Sequence, residues 1–189
     1  MKKTLNSTAL ALFGLFVTLN SHGQGSVIFA NYDFGALDAP VTYTPGGVRV
    51  GSEFTADLLY SLDGGVNYTL LTQAAAGAGS AYPTAFSGTD GNNASGAGYF
   101  IGPTVTIPGY TSGAVNFIVE AYHGSSYSTA DWKGQSAPFS VPSLATGQTP
   151  ASQFPGGSMQ PFSVIPEPSV FALAGFGAAG LMAFRRKKA

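Results

Sequence analysis

Two stretches restrict this chain more than any others: FTADLLYS at 54–61 and AVNFIVEAYH at 114–123. In the first, Phe54, Ala56, Leu58 and Tyr60 alternate with Thr55, Asp57, Leu59 and Ser61. In the second, Val115, Phe117, Val119 and Ala121 alternate with Asn116, Ile118, Glu120 and Tyr122. A two-residue period puts one set of side chains on each face of a sheet. Between the chain's two ends, no window keeps a 3.6-residue apolar period for more than a turn or two. Shorter strands are expected at 26–31, 67–72, 104–107 and 137–141. Turn clusters separate them, among them Pro45-Gly46-Gly47, Asp63-Gly64-Gly65, Asp90-Gly91-Asn92-Asn93 and Pro108-Gly109. The pattern predicts an all-β fold, a single antiparallel β-sandwich of the immunoglobulin or jelly-roll kind, over residues 24–141. Residues 74–80 and 87–98 read as long loops. The uncharged run PSLATGQTPASQFPGGSMQP falls in a stretch, 142–165, that reads as a linker.

The ends follow other rules. Met1-Lys2-Lys3 precedes an apolar stretch of about eleven residues, ALALFGLFVTL, with small residues soon after. These are the parts of a secretory signal peptide over 1–23. Ser21 and Gly23 place the cut between Gly23 and Gln24, and a cut before Ser26 is the alternative. At the other end, VFALAGFGAAGLMAF (170–184) is uncharged and stops at Arg185-Arg186-Lys187-Lys188. A helix of that length spans about 23 Å, short of the ~30 Å hydrocarbon core. Extension to Ser169 and snorkelling cations close the gap, which predicts a transmembrane helix at about 169–184. The basic tail, 185–189, stays cytoplasmic. The middle of the chain is therefore exported across an inner membrane.

Pro166-Glu167-Pro168-Ser169 stands against that helix. Each proline lacks an N–H and disfavours helix at the residue before it, so the stretch is expected to be extended and exposed. Pro-Glu-Pro-Ser, a short apolar helix and an Arg-rich terminus together resemble the PEP-CTERM sorting signal of certain Gram-negative bacteria, over residues 166–189. The resemblance implies recognition of Pro166, Glu167, Pro168 and Ser169 by exosortase, while the signal peptide at the other end makes signal peptidase a second expected partner. It also implies transient anchoring in the inner membrane, then delivery to the cell surface or the medium. Proteins with this signal are associated with bacteria that build exopolysaccharide, which implies a matrix role. The catalytic residues of the sorting step belong to the exosortase.

Composition excludes several activities for the middle. The 189 residues include no cysteine, so thiol chemistry and cysteine-based zinc sites are absent. Between residues 24 and 165 stand Asp33, Asp38, Glu53, Asp57, Asp63, Asp90, Glu120 and Asp131. Only Arg49 and Lys133 oppose them, leaving a net charge of −6. Such a surface has no electrostatic footprint for nucleic acid.

The candidate chemistry is sparse. Ser61 to Tyr68 resembles the Asp-box, a hairpin turn remote from catalysis in the proteins that carry it, with Asn67 and Tyr68 at its Thr and Trp places. Asp63 with Asn67, and Asp90 with Asn92 and Asn93, offer the oxygen ligands Ca²⁺ takes, but without EF-hand spacing. No other cofactor and no metal centre is expected. His123, with Ser125, Ser126 and Asp131 nearby, lacks a nucleophile elbow, so no catalytic residue is assigned. Glu53, Asp57 and Glu120 are the carboxyls that a polysaccharide hydrolase, the alternative reading, would need to bring together. Tyr122, Tyr127 and Trp132 are the expected glycan contacts, because aromatic rings combine apolar area with polar reach. Asn67 and Asn93 open glycosylation sequons that a bacterial protein need not use.

Overall fold

The computed structural model describes residues 24–167 except 35, 45–46, 78, 90–95 and 148. The expected signal peptide, transmembrane helix and basic tail lie outside the described residues, as do Pro168, Ser169, Asp90, Asn92 and Asn93. No described helix is long and apolar enough to cross a membrane.

The described chain is built of strands, with two short 3-10 turns at Gln73–Ala76 and Tyr127–Thr129. In chain order the first strands are β1 (Gly25–Ala30), β2 (Tyr32–Asp33), β3 (Leu37–Asp38), β4 (Val41–Thr42) and β5 (Phe54–Ser61). Then come β6 (Thr69–Leu70), β7 (Thr84–Ala85), β8 (Ile101–Ile107) and β9 (Val115–His123). The last are β10 (Trp132–Gln135), β11 (Phe139–Val141), β12 (Phe162–Ser163) and β13 (Ile165–Pro166).

The all-β expectation holds, and the two alternating stretches form its centre. β5 and β9 pair antiparallel over eight residues, from Phe54 opposite His123 to Ser61 opposite Asn116. Around them the sheet runs β13-β10-β9-β5-β6, with β11 also on β9 and β7 also on β5. Ala56, Leu58, Phe117, Val119 and Ala121 point inward and are buried, as the period of two requires. Val27, Phe29, Val105 and Ile107, from the separate β1–β8 ribbon, enter the same core.

Asn31 joins three segments. Its side-chain amide donates to the carbonyls of Ala39 and Gly98, both at 2.9 Å, and its Oδ1 accepts the Phe100 N–H at 2.7 Å. It is fully buried, and such satisfaction is what makes a buried amide tolerable.

The linker expectation over 142–165 is overturned. Leu144, Phe154, Met159 and Val164 are core residues, and Phe154 lies against the rings of Phe117 and Phe139. Backbone bonds fasten the segment to β1, from Ser26 N to Ala145 O and from Ile28 N to Ser152 O, each 2.8 Å. β12 then pairs parallel with β4, and β13 antiparallel with β10. Glycine and proline content described the segment's irregular backbone correctly. It said nothing of four apolar side chains spaced too irregularly to show a period, and their burial holds the segment on the domain.

Candidate functional sites

The outer face of the main sheet carries its polar chemistry. Asp57 stands directly opposite Glu120, and Glu120 opposite Gln135, so one row crosses β5, β9 and β10. Asp57 is 6% exposed and Glu120 7%. Burial pushes both carboxyls above their ordinary range, and the Asp57 charge adds to the effect on Glu120. The Tyr122 hydroxyl donates to Asp57 Oδ2 at 3.0 Å, and the Gln135 amide to Glu120 Oε1 at 2.7 Å. The other Asp57 oxygen is buried without a hydrogen-bond partner. Leu59, Leu70, Tyr122, Tyr127 and Ser126 help to line a groove of about 460 Å³ over this pair. Glu53 is tied elsewhere, accepting from the Tyr43 hydroxyl at 3.3 Å and from Gly51 N at 3.2 Å.

The three expected glycan contacts are not one platform. The stretch YHGSSYSTADWKG (122–134), which reads in sequence as an exposed loop, runs into β10, and that strand sends Trp132 and Lys133 to opposite faces. Trp132 packs on the core side, edge-on to Tyr43 at 5.2 Å between centroids. Tyr122 is buried on the outer face and meets Tyr127 edge-on at 6.3 Å. Alternation along a strand separates neighbours in sequence, which is the physical reason for the correction.

An aromatic surface occurs at a place the sequence reading missed. Phe34 is 91% exposed and lies edge-on to Tyr32, which in turn lies 5.0 Å from Tyr99. Arg49 sits 4.8 Å above the Tyr99 ring, whose hydroxyl donates to Asp38 at 2.6 Å. Exposed Ile101 and Phe34 share the walls of an adjoining cavity of about 200 Å³. The rings come from β2 and the turns beside β2 and β8, Asp38 from β3 and Arg49 from a bridge to Thr42, so no short window of sequence contains the cluster.

Other candidates are used up locally. Asp63 accepts from the Ser61 hydroxyl (2.6 Å), Val66 N (3.1 Å), Asn67 N (3.0 Å) and the Asn67 amide (2.7 Å). These bonds, with Asn67 N first, hold its carboxyl far below the usual range. Gly64 and Gly65 take φ of 78° and 90°, the left-handed region this turn requires. Asp63 with Asn67 thus closes a turn on itself, and no cluster of three metal-ligating side chains occurs among the described residues. His123 Nδ1 lies 2.7 Å from Asp131 Oδ1, a bond that lowers the Asp131 carboxyl. The Ser126 hydroxyl bonds Ser128 and Thr129, at 3.2 and 2.7 Å.

The strand that ends the described chain belongs to the remaining site. Pro166 pairs with Trp132 and Ile165 with Lys133. Glu167 N donates to Asp131 O at 2.8 Å, and Glu167 Oε1 meets Lys133 Nζ at 2.6 Å. Pro166 and Glu167 are extended and exposed, but the folded domain holds them on one side. Residues 164–187 match the model of the PEP-CTERM protein-sorting motif. The chain carries a PEP-CTERM sorting motif. The motif implies processing by exosortase, a membrane protein, and with it export and transient anchoring before surface display. No curated protein and no solved structure matches the chain. The PEP-CTERM match begins at Val164, a fully buried core residue, so motif and domain overlap.

Proposed function

We propose that this protein is a non-enzymatic component of the cell surface or extracellular matrix, released to its place by exosortase and associated with exopolysaccharide. The PEP-CTERM match supports the route. The observation that carries the matrix role is the surface cluster of exposed Phe34 with the half-buried Tyr32 and Tyr99, flanked by Asp38 and Arg49. Rings of this kind stack on the apolar faces of sugars while the flanking polar groups reach hydroxyls. The domain is a two-layered sandwich in this reading, supported by the core that the β1–β8 ribbon and the main sheet share.

Retention of the exported protein on the host's own polysaccharide tests the reading. Phe34→Ala with Tyr99→Ala should abolish retention, whereas Tyr127→Ala should preserve it. Equal retention of all three proteins would remove the aromatic cluster as the contact.

A polysaccharide hydrolase is the second reading, favoured by the Asp57–Glu120 juxtaposition in a groove. Directly opposed strand residues stand close to the separation that retaining glycosidases use between their two carboxyls. Against it stands the near-complete burial of both groups, which leaves little for a substrate to touch. Release of reducing ends by the wild type, lost in Glu120→Gln, would establish the enzyme and displace the first reading.

A further inference from the structure

We propose that the folded domain latches its own sorting motif, with Lys133 as the positioning residue, and that exosortase gains the motif only after β13 peels from β10. The proposal rests on the exosortase reading of the PEP-CTERM match.

Three observations carry it. The first is that one edge of the motif's backbone is already occupied. Glu167 N is bonded to Asp131 O, and Ile165–Pro166 pair with Trp132–Lys133. Hydrogen-bonded and non-bonded pairs alternate in an antiparallel ladder. The Asp131–Glu167 bond therefore makes Trp132–Pro166 the non-bonded pair, and the missing N–H of Pro166 opens no gap. The motif's first proline fits this edge at no cost.

The second observation is that the docked strand is continuous with the core. Val164 is fully buried and its N–H donates to Thr42 O at 2.9 Å. Beside it, Gly134 admits the crossing chain, since an added Cβ there would collide with the Ser163 carbonyl oxygen. Third, the motif glutamate is paired with one of only two cations in residues 24–167.

Distance makes the overlap matter. Only Pro168 and Ser169 separate Glu167 from the apolar run that begins at Val170. The three steps from Glu167 to Val170 reach roughly 10 Å even when fully extended. A membrane-embedded enzyme that must surround this backbone meets the folded domain at once. Peeling residues 165–167 frees the occupied edge and lengthens the tether, while the anchored Val164 keeps the core closed.

The test follows processing of the full chain in its host by pulse-chase and intact mass, with two opposed variants. Lys133→Glu sets like charge against Glu167, and should speed processing about two- to fivefold, the range open to a half-exposed ion pair. Lys133→Cys with Ile165→Cys places a disulfide across directly opposed residues, within bridging distance. This double variant should be processed when reduced and blocked when oxidised. In detergent-solubilised full chain, the Glu167 amide should also exchange faster in Lys133→Glu than in the wild type.

Wild-type processing rates in both Lys133→Glu and the oxidised double variant would overturn the latch and leave sorting intact. A wild type that always keeps residues 170–189 would instead overturn the exosortase reading, and the latch with it.

Discussion

The main sheet has two faces made from the same strands, and they reach burial by different means. Inward, Ala56, Leu58, Phe117, Val119 and Ala121 need only shape and apolar area. Outward, Asp57, Glu120 and Tyr122 are buried almost as fully, yet each polar group must find a partner or hold a proton. The same two-residue alternation supplies both faces. What differs is the cost of a substitution, because apolar packing fails by leaving a cavity and a polar row fails by changing its charge.

The largest effect should come from the inner face. Phe117→Ala removes a buried ring lying against Phe139 and Phe154 and should cost about 3–5 kcal/mol in chemical denaturation. A loss under about 1 kcal/mol would mean that this face is not the core. Gly134→Ala comes next, at about 1–3 kcal/mol, because its Cβ meets backbone that cannot move aside cheaply. Protease sensitivity of 163–167 should rise with it. Unaltered melting and unaltered cleavage would show that the crossing chain is not tightly docked.

The outer face should respond to pH. Burial raises the folded-state pKa of Asp57 and Glu120 above that of the unfolded chain, so the native state binds the extra protons. Their stabilising contribution is complete below the ordinary carboxylate range near 4 and is lost as pH rises through the raised values. Asp57→Asn should therefore flatten the fall in stability above about pH 4 and leave the protein more stable than wild type at neutral pH. Parallel stability curves for the two proteins would refute the buried acid pair. The smallest effect belongs to Tyr127→Ala at the rim of the groove, about 1 kcal/mol or less in the same denaturation experiment. A larger loss would extend the buried region past Tyr122.

Much of this was legible in the linear pattern, and the misses share a cause. β5 and β9 stand where the alternation of 54–61 and 115–123 puts them, since eight or nine alternating residues suffice to reveal a sheet face. Strands of two to four residues, such as β4, β10 and β13, are too short to carry a period, and all three were missed. Trp132 was misplaced for that reason, because its direction depends on β10 existing at all. The Tyr32–Phe34–Tyr99 cluster unites residues more than sixty positions apart, which no local window can join. The same blindness turned 142–165 into a linker, where Leu144, Phe154, Met159 and Val164 proved to be core.

By itself the sequence determined the all-β class and the two central strands. It also determined the sorting address, because a recognition motif is read as linear chain, and resemblance along 164–187 is sufficient to find it. Only the tertiary structure decided that Asp57 and Glu120 face each other, that Tyr99 joins Tyr32 and Phe34 on one surface, and that the address pairs with β10 and meets Lys133. Those are pairings across space, set by register and by which side chains leave water together. Linear order carries no record of them until the chain has folded.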